Sequence, residues 1–215
     1  MSCIVETSFA ATAALRWTVS SLLDTRLVLT DLHLPGPDVS LPGLHLRAWA
    51  VDDIPDLVSA WEDREMHRWM PEEADPFGVD QAAAFIESAA RSLADGTALA
   101  VAIGDPRTGR AVGSVTFHVW GPRHWNIGYW VSPRNRNRGV ATAAVSKLSR
   151  WAFSSRASLQ RLSLYTLPGN AVSQKVAERA GFRHEGRLRR WADVRGQQWD
   201  WIMYSLIRED LESNG

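Results

Sequence analysis

The sequence predicts an α+β fold: a mixed, mostly antiparallel sheet with helices on both faces. Three observations carry this. Strand-like alternation and helix-like periodicity are interspersed along one 215-residue chain rather than segregated into halves. Three consecutive strand patterns joined by short turns imply antiparallel neighbours. A strand–helix–strand succession over 124–132, 139–155 and 160–167 then supplies one crossover, and with it one parallel pair. The length suits one domain with an addition, so we expect an N-terminal extension of undefined role over 1–40 and a folded domain over 41–215.

Taken in order, residues 1–20 are rich in Ala, Ser and Thr, and apolar–polar alternation around Pro35, Gly36, Pro37, Pro42 and Gly43 then suggests one or two strands. Residues 44–49 alternate like a strand. Residues 51–70 read as a helix, with Asp52 or Asp53 as N-cap, Pro55 in the first turn, and Ile54, Leu57, Val58 and Trp61 on one face. Pro71, Pro76 and Gly78 mark a loop. A second helix spans 79–96, with Asp80 as cap, Phe85, Ile86, Ala89, Ala90 and Leu93 inward, and Gly96 as the stop. Strands follow at 97–103, 110–120 and 124–132, the first two joined by the tight-turn sequence 104–109. Next come a helix at 139–155, a strand at 160–167, a helix at 170–180, and closing strands around 181–187 and 199–207.

Composition excludes several functions. The 24 basic and 24 acidic residues cancel, which argues against a nucleic-acid partner. Cys3 stands alone, so no disulfide framework or multi-cysteine metal site is available, and the six histidines lack ligand spacing; no metal is expected. No apolar run approaches the ~20 residues that span a bilayer, and Glu6 and Arg16 spoil a secretion signal, so the expected location is the cytoplasm.

The most informative stretch is Arg134, Asn135, Arg136, Asn137, Arg138, Gly139, Val140, Ala141, Thr142, between a strand and a helix. Gly139 lets the backbone approach a ligand, and Ala141 and Thr142 keep the first helical turn small. The unsatisfied amides and positive dipole end of a helix start suit a pyrophosphate. The spacing is that of neither the nucleoside-triphosphate P-loop nor the dinucleotide fingerprint. On local grounds alone the turn serves equally well as an Arg/Asn-rich surface turn before an ordinary helix.

Its context resembles a known family. Residues 127–145, "IGYWVSPRNRNRGVATAAV", resemble the acetyl-coenzyme A motif of the Gcn5-related N-acetyltransferase (GNAT) superfamily, [QR]-x-x-G-x-[GA], through Arg136, Gly139 and Ala141. Residues 167–182, "LPGNAVSQKVAERAGF", resemble its second landmark, N-x-x-[AS] and a helix ending in G-F. Residues 68–86 resemble the substrate-side loop of the branch that acetylates ribosomal-protein N-termini (RimJ/RimL-like). The likeness runs from about 44 to 208 in order. It implies a sheet split into a V between strands 124–132 and 160–167, acetyl-CoA as cosubstrate, pantetheine on the backbone of Tyr129, Trp130 and Val131, and pyrophosphate on the amides of Arg136, Asn137, Arg138, Gly139, Val140, Ala141 and Thr142.

Transfer to an amine needs a neutral nucleophile, a donor for the oxyanion and a partner for the leaving thiolate. The resemblance implies an oxyanion donor from the backbone at Trp130 or Val131. Many members carry a tyrosine seven residues after the Asn of the second landmark. Here that Asn is Asn170 and the position is Ala177. The ribosomal branch implies Ser173 instead, beside Asn170 on the pantetheine, although serine is also common in a first helical turn. A usual Glu is replaced by Asn126, leaving Glu72, Glu73, Asp75 and His118 as candidate bases; His118 fits equally as the outward polar residue of a strand.

Among eleven tryptophans, Trp17, Trp61, Trp151, Trp199 and Trp201 suit packing, while Trp69, Trp120 and Trp125 are candidate pocket walls that packing explains nearly as well. Arg183, Arg187, Arg189, Arg190 and Arg195 fit a solvated face better than a binding patch. Cys3 lies far from every motif and is a poor nucleophile. The expected activity is direct acetyl transfer from acetyl-CoA to a primary amine, foremost a protein N-terminal amine. A small-molecule amine and a non-catalytic acetyl-CoA-binding module are the alternatives, and a homodimer is compatible with the sequence.

Overall fold

Alternating apolar residues make the strands, and their two faces dictate where the helices go. The computed structural model describes residues 33–34, 43–70, 77–194 and 196–212. The chain runs β1 (His33–Leu34), β2 (Leu44–Arg47), α1 (Ile54–Trp61), α2 (Arg64–Trp69), α3 (Val79–Asp95), β3 (Ala98–Gly104), β4 (Ala111–Val119), β5 (His124–Val131), α4 (Val140–Ser155), β6 (Arg161–Thr166), α5 (Ala171–Arg179), β7 (Arg183–Val194), β8 (Gln197–Ile207) and α6 (Arg208–Glu212). The strands form one sheet in the order β1-β2-β3-β4-β5-β6-β8-β7. Every neighbouring pair is antiparallel except β5–β6. The expected mixed, mostly antiparallel sheet is therefore present. The boundary expected near residue 40 and Trp17 lie outside the described residues.

The helix expected over 51–70 is broken. A 3₁₀ turn, Val51–Asp53, precedes α1, and a new helix begins after Asp63, whose carboxylate accepts the Glu65 N–H at 3.4 Å. Asp53 holds the N-cap position of α1, yet its carboxylate points back to the Ala50 N–H (2.9 Å) and pairs with the Arg47 guanidinium (2.6 Å). At α3 the N-cap is Gly78 rather than Asp80: Gln81 Oε1 accepts the Gly78 N–H at 2.9 Å. Gly96 ends α3 as expected, with φ +69° in the left-handed region that glycine enters without steric cost. The closing strands are longer than their sequence signals.

The two sheet faces carry different layers. On one, Val115, Phe117, Trp125, Ile127 and Leu162 pack in the main core with Ala144 and Leu148 of α4 and Ala177 of α5. On the other, Trp130 joins Leu57, Ala60, Trp61, Met66 and Ala82 from α1, α2 and α3. Helices thus cover both faces, and β5 is shared by both layers because its side chains alternate.

Parallel pairing of β5 with β6 is brief. It covers His124↔Arg161, Trp125↔Leu162 and Asn126↔Ser163, and stops there. Beyond Asn126 the strands go separate ways, β5 remaining on β4 through Val131 while β6 stays on β8 through Thr166. The sheet splits at the expected place, leaving one backbone edge of β5 without a strand partner.

Candidate active site

Register determines which groups of β5 face the split. Ser132 N–H donates to Val112 C=O at 2.9 Å, and Val131 lies opposite Gly113. Val131 is therefore a pair whose own N–H and C=O point away from β4, into the split. By the two-residue period Tyr129 faces the split likewise, whereas the N–H of Trp130 turns toward Ser114. Of the two oxyanion donors the sequence offered, only Val131 has an N–H aimed the right way. The Trp130 ring is buried on the far side, stacked on Trp49 at 6.1 Å.

The turn into α4 forms a concave run of amides. Asn137 (φ +61°) and Gly139 (φ +76°) are both left-handed, and alternating hands make successive N–H groups converge. The helix ladder opens with Ala143 N–H donating to Gly139 C=O at 2.9 Å, after the amides of 137–142. Asn137, Arg138 and Gly139 are exposed while Val140 is buried, so the turn is anchored from below and open above. Such a nest at a helix N-terminus fits a pyrophosphate without side-chain help.

Arg136 does something else. Its Nε donates to Val131 C=O at 3.0 Å and its guanidinium pairs with Asp63 at 2.5 Å. Its own N–H donates to Pro133 C=O at 3.4 Å. Arg136 thus ties the end of β5 to the α1–α2 junction, and with its own amide engaged the converging run of amides begins at Asn137. Nothing in the sequence flagged Asp63 as the partner.

On the other wall, Asn170 Oδ1 caps α5 by accepting the Ser173 N–H at 3.1 Å, leaving its amide group for other contacts. Ala177 is fully buried in the core. The Tyr129 hydroxyl donates to Ser173 Oγ at 2.9 Å, linking the open strand to α5. Burial pushes this phenol up to about 12, with the Ser173 hydrogen bond pulling the other way, so it is protonated near neutrality. The sequence reading gave Tyr129 only a backbone role; a contact between residues 44 positions apart has no local signal.

Across the sheet, His118 lies opposite Asn126, and Asn126 opposite Ser163. Burial holds His118 below its ordinary 6.5, hence neutral at pH 7. Asn126 Oδ1 is buried without a hydrogen-bond partner. His124 Nε2 lies 2.7 Å from Ser163 Oγ.

The remaining candidates separate. Glu72, Glu73 and Asp75 lie outside the described residues. Trp69, the expected pocket wall, is the last residue of α2, with its indole N–H on Glu65 Oε2 (2.8 Å) and Arg68 over its ring (4.5 Å). Trp125 is 6% exposed and packs on Phe117 in the main core, because its register turns it to the α4 face, away from the face on which Asn126 and His118 lie. Trp120 is 47% exposed. Arg183 pairs with Asp210 and Arg187 with Asp200, consistent with a solvated face, while Arg195 lies outside the described residues.

A split sheet, a run of converging amides beside it and a hydroxyl at its wall together form a cleft suited to an extended ligand with an anionic end. Residues 43–183 match the acetyltransferase (GNAT) domain family, and the chain belongs to that family. Its members are N-acetyltransferases that use acetyl-CoA. The chain is 37% identical over 90 residues to YdaF of Bacillus subtilis (strain 168), which bears the name "Putative ribosomal N-acetyltransferase"; the match spans 42% of this chain and 49% of that protein. It is 28% identical over 170 residues, 78% of this chain and 94% of the other, to "Uncharacterized N-acetyltransferase p20" of Bacillus licheniformis. The fold superposes on Mycobacterium smegmatis RimJ in complex with CoA-disulfide with a TM-score of 0.71 at 24% identity, covering 83% of this chain and 87% of that one. Among the described residues no helix is long and apolar enough to cross a membrane.

Proposed function

We propose that the chain acetylates protein N-terminal amines, with the residues around the β5–β6 split as its machinery. The observation that carries this is the polar row at the closed end of the split. There, Asn126 and a neutral His118 face each other where a carboxylate base would otherwise stand. An N-terminal amine with a pKa near 8 is already partly neutral and needs only a weak base, whereas a lysine near 10.4 needs a strong one. Resemblance to the ribosomal N-terminal branch and to YdaF supports the same acceptor.

Bound acetyl-CoA supplies the activated acyl carbon; the rest belongs to the chain. The amides of Asn137 to Thr142 hold the pyrophosphate, with Arg136 bracing the turn. The open edge at Tyr129 and Val131 takes the pantetheine, and the side-chain amide of Asn170 adds a donor. Val131 N–H donates to the acyl oxygen as it gains negative charge. Ser173 donates to the departing sulfur while Tyr129 donates to Ser173 Oγ. A thiolate of pKa near 8.5 needs a hydrogen bond more than a full proton transfer. His118 takes the proton shed by the amine, through water.

The test is N-terminal mass spectrometry of cellular proteins with and without the gene, paired with thiol release from acetyl-CoA on peptides carrying the affected sequence. Loss of defined N-terminal acetyl groups that the purified protein restores supports the reading. An unchanged N-terminal profile with turnover on small amines overturns it.

A further inference from the structure

On the α1–α3 face of the sheet, aromatic rings gather beside the split. Leu162 and Leu164 of β6 point into the main core, so Ser163 and Tyr165 point to the opposite face. Trp120 leans on both His124 (5.2 Å, 73°) and Tyr165 (5.7 Å, 34°). Trp191 lies nearly parallel to Tyr165 (6.4 Å, 11°), and Trp201 meets Tyr165 edge-on (6.4 Å, 85°). Trp120 and Trp191 remain 47% and 40% exposed, although covering such rings is favourable.

Trp191 reaches this position by a device in the backbone. The β7–β8 register shifts between Leu188 and Ala192, a bulge that includes Arg190 at φ +50°. A non-glycine residue there is strained, and bulges re-aim side chains. Asp200 holds the distortion: its Oδ1 accepts the Arg190 N–H at 2.7 Å while its Oδ2 accepts from Arg187 Nε at 2.7 Å.

We propose that Trp191, Tyr165 and Trp120 form an acceptor subsite that takes an aromatic ring lying next to the amine to be acetylated. The proposal rests on the reading of the split as the place of transfer. Continuity with that place selects the occupant. Tyr165 stands two residues, roughly 7 Å along β6, beyond Ser163, the last β6 residue paired with β5. Trp120 connects the same ring to His124, which bonds Ser163. A side chain one or two residues from the amine spans that distance. The exposed π faces reward a flat ring over an aliphatic chain of equal area. The subsite therefore sets specificity, and the bulge is a positioning element for it.

The test compares matched acceptors differing only in ring content: N-terminal peptides Ser-Trp-Ala-Gly and Ser-Ala-Ala-Gly, and the small amines tryptamine and n-butylamine. Each is titrated calorimetrically into the full chain complexed with CoA, and assayed for thiol release with acetyl-CoA. The expected result is about a tenfold tighter Kd and lower KM for the aromatic member of a pair, equivalent to about 1.4 kcal/mol. In Trp191→Ala the ratio falls to about one, and Trp191→Phe restores most of it. Equal binding of ring and chain by the native protein, no binding of either pair, or a preference that survives Trp191→Ala overturns the subsite. A ring preference confined to the small amines supports the subsite but overturns the protein N-terminus as acceptor. Acetylation of both peptides at equal efficiency does the reverse.

Discussion

Tyr129 on β5 and Ser173 on α5 are joined by a 2.9 Å hydrogen bond across the mouth of the split, the phenol donating to the serine oxygen. The bond places a phenol on Ser173, one helical turn before Ala177, where the family resemblance would put a tyrosine. It also engages one lone pair of Ser173 Oγ, leaving the serine hydrogen available to donate to another group. A hydroxyl that accepts a hydrogen bond from a phenol is polarised into a better donor than an isolated one.

Ser173→Ala should therefore lower kcat by about ten- to a hundredfold, the worth of one hydrogen bond to a charged group, with KM for acetyl-CoA little changed. Tyr129→Phe should lower kcat by a smaller factor through the same route. The double variant should be no slower than Ser173→Ala, because the two act in series. With the phenol near 12, no alkaline loss of activity from this residue is expected below about pH 11. Steady-state rates of the four proteins between about pH 6 and 11 check all four statements; additive losses would mean that the hydroxyls act independently.

Gly139 combines φ +76° with an exposed position. An L side chain there costs about 1 kcal/mol of backbone strain and covers the amides behind it. Gly139→Ala should lower stability by that amount and weaken CoA binding. Gly139→Trp should abolish CoA binding while a cooperative melting transition persists. Calorimetric titration with CoA, beside thermal melts without it, separates the two effects. Unchanged affinity in the tryptophan variant would remove the pyrophosphate from this turn.

Local patterns carried much of this architecture. Gly96 and the 104–109 turn are punctuation that the backbone obeys directly, and the strand–helix–strand run at 124–167 dictated the one parallel pair and hence the split. What the sequence hid depends on register or on distance along the chain. Trp120 and Trp125 look alike as candidates, yet the ladder with β4 and β6 buries Trp125 against Phe117 and leaves Trp120 outside. Trp191 faces Tyr165 only because a bulge at Arg190 breaks the alternation of β7. The Arg136 side chain looks like a phosphate ligand beside Gly139, but Asp63, far back in the chain, claims it.

That pairing makes Arg136 a brace with two distinct bonds, Nε to Val131 C=O and the guanidinium to Asp63. Both side chains are mostly screened from water, at 30% and 22% exposure. Lysine offers a point charge and satisfies one of the two acceptors, not both. Arg136→Lys and Arg136→Ala should each lose about 1–3 kcal/mol of stability in urea titrations and weaken CoA affinity as the end of β5 loosens. Full retention of CoA affinity in Arg136→Ala would show that the brace serves stability alone.

His118 provides a pH signature independent of turnover. Burial among the β3, β4 and β5 strands lowers its pKa in the folded chain, while the unfolded chain returns it to about 6.5. Above 6.5 both states are neutral at this site and its contribution to stability is constant. Between 6.5 and the lower folded value the unfolded chain binds a proton that the folded chain refuses, so stability falls as the pH drops through that window. His124, lowered by burial and by Arg161, adds a slope of the same sign. His118→Gln removes one of the two titrating groups and keeps a polar side chain of similar size. The melting temperature of the variant should therefore decline less steeply than that of the native protein between about pH 6.5 and 5, while the two curves run parallel above pH 7. If His118 also takes the proton from the acceptor, the variant loses kcat wherever the native imidazole is neutral, and the acid limb of kcat/KM belonging to this group disappears with it. Identical stability curves would mean that His118 is solvated enough to titrate normally, and it would then be partly protonated at pH 6.5 and poorly suited to act as base.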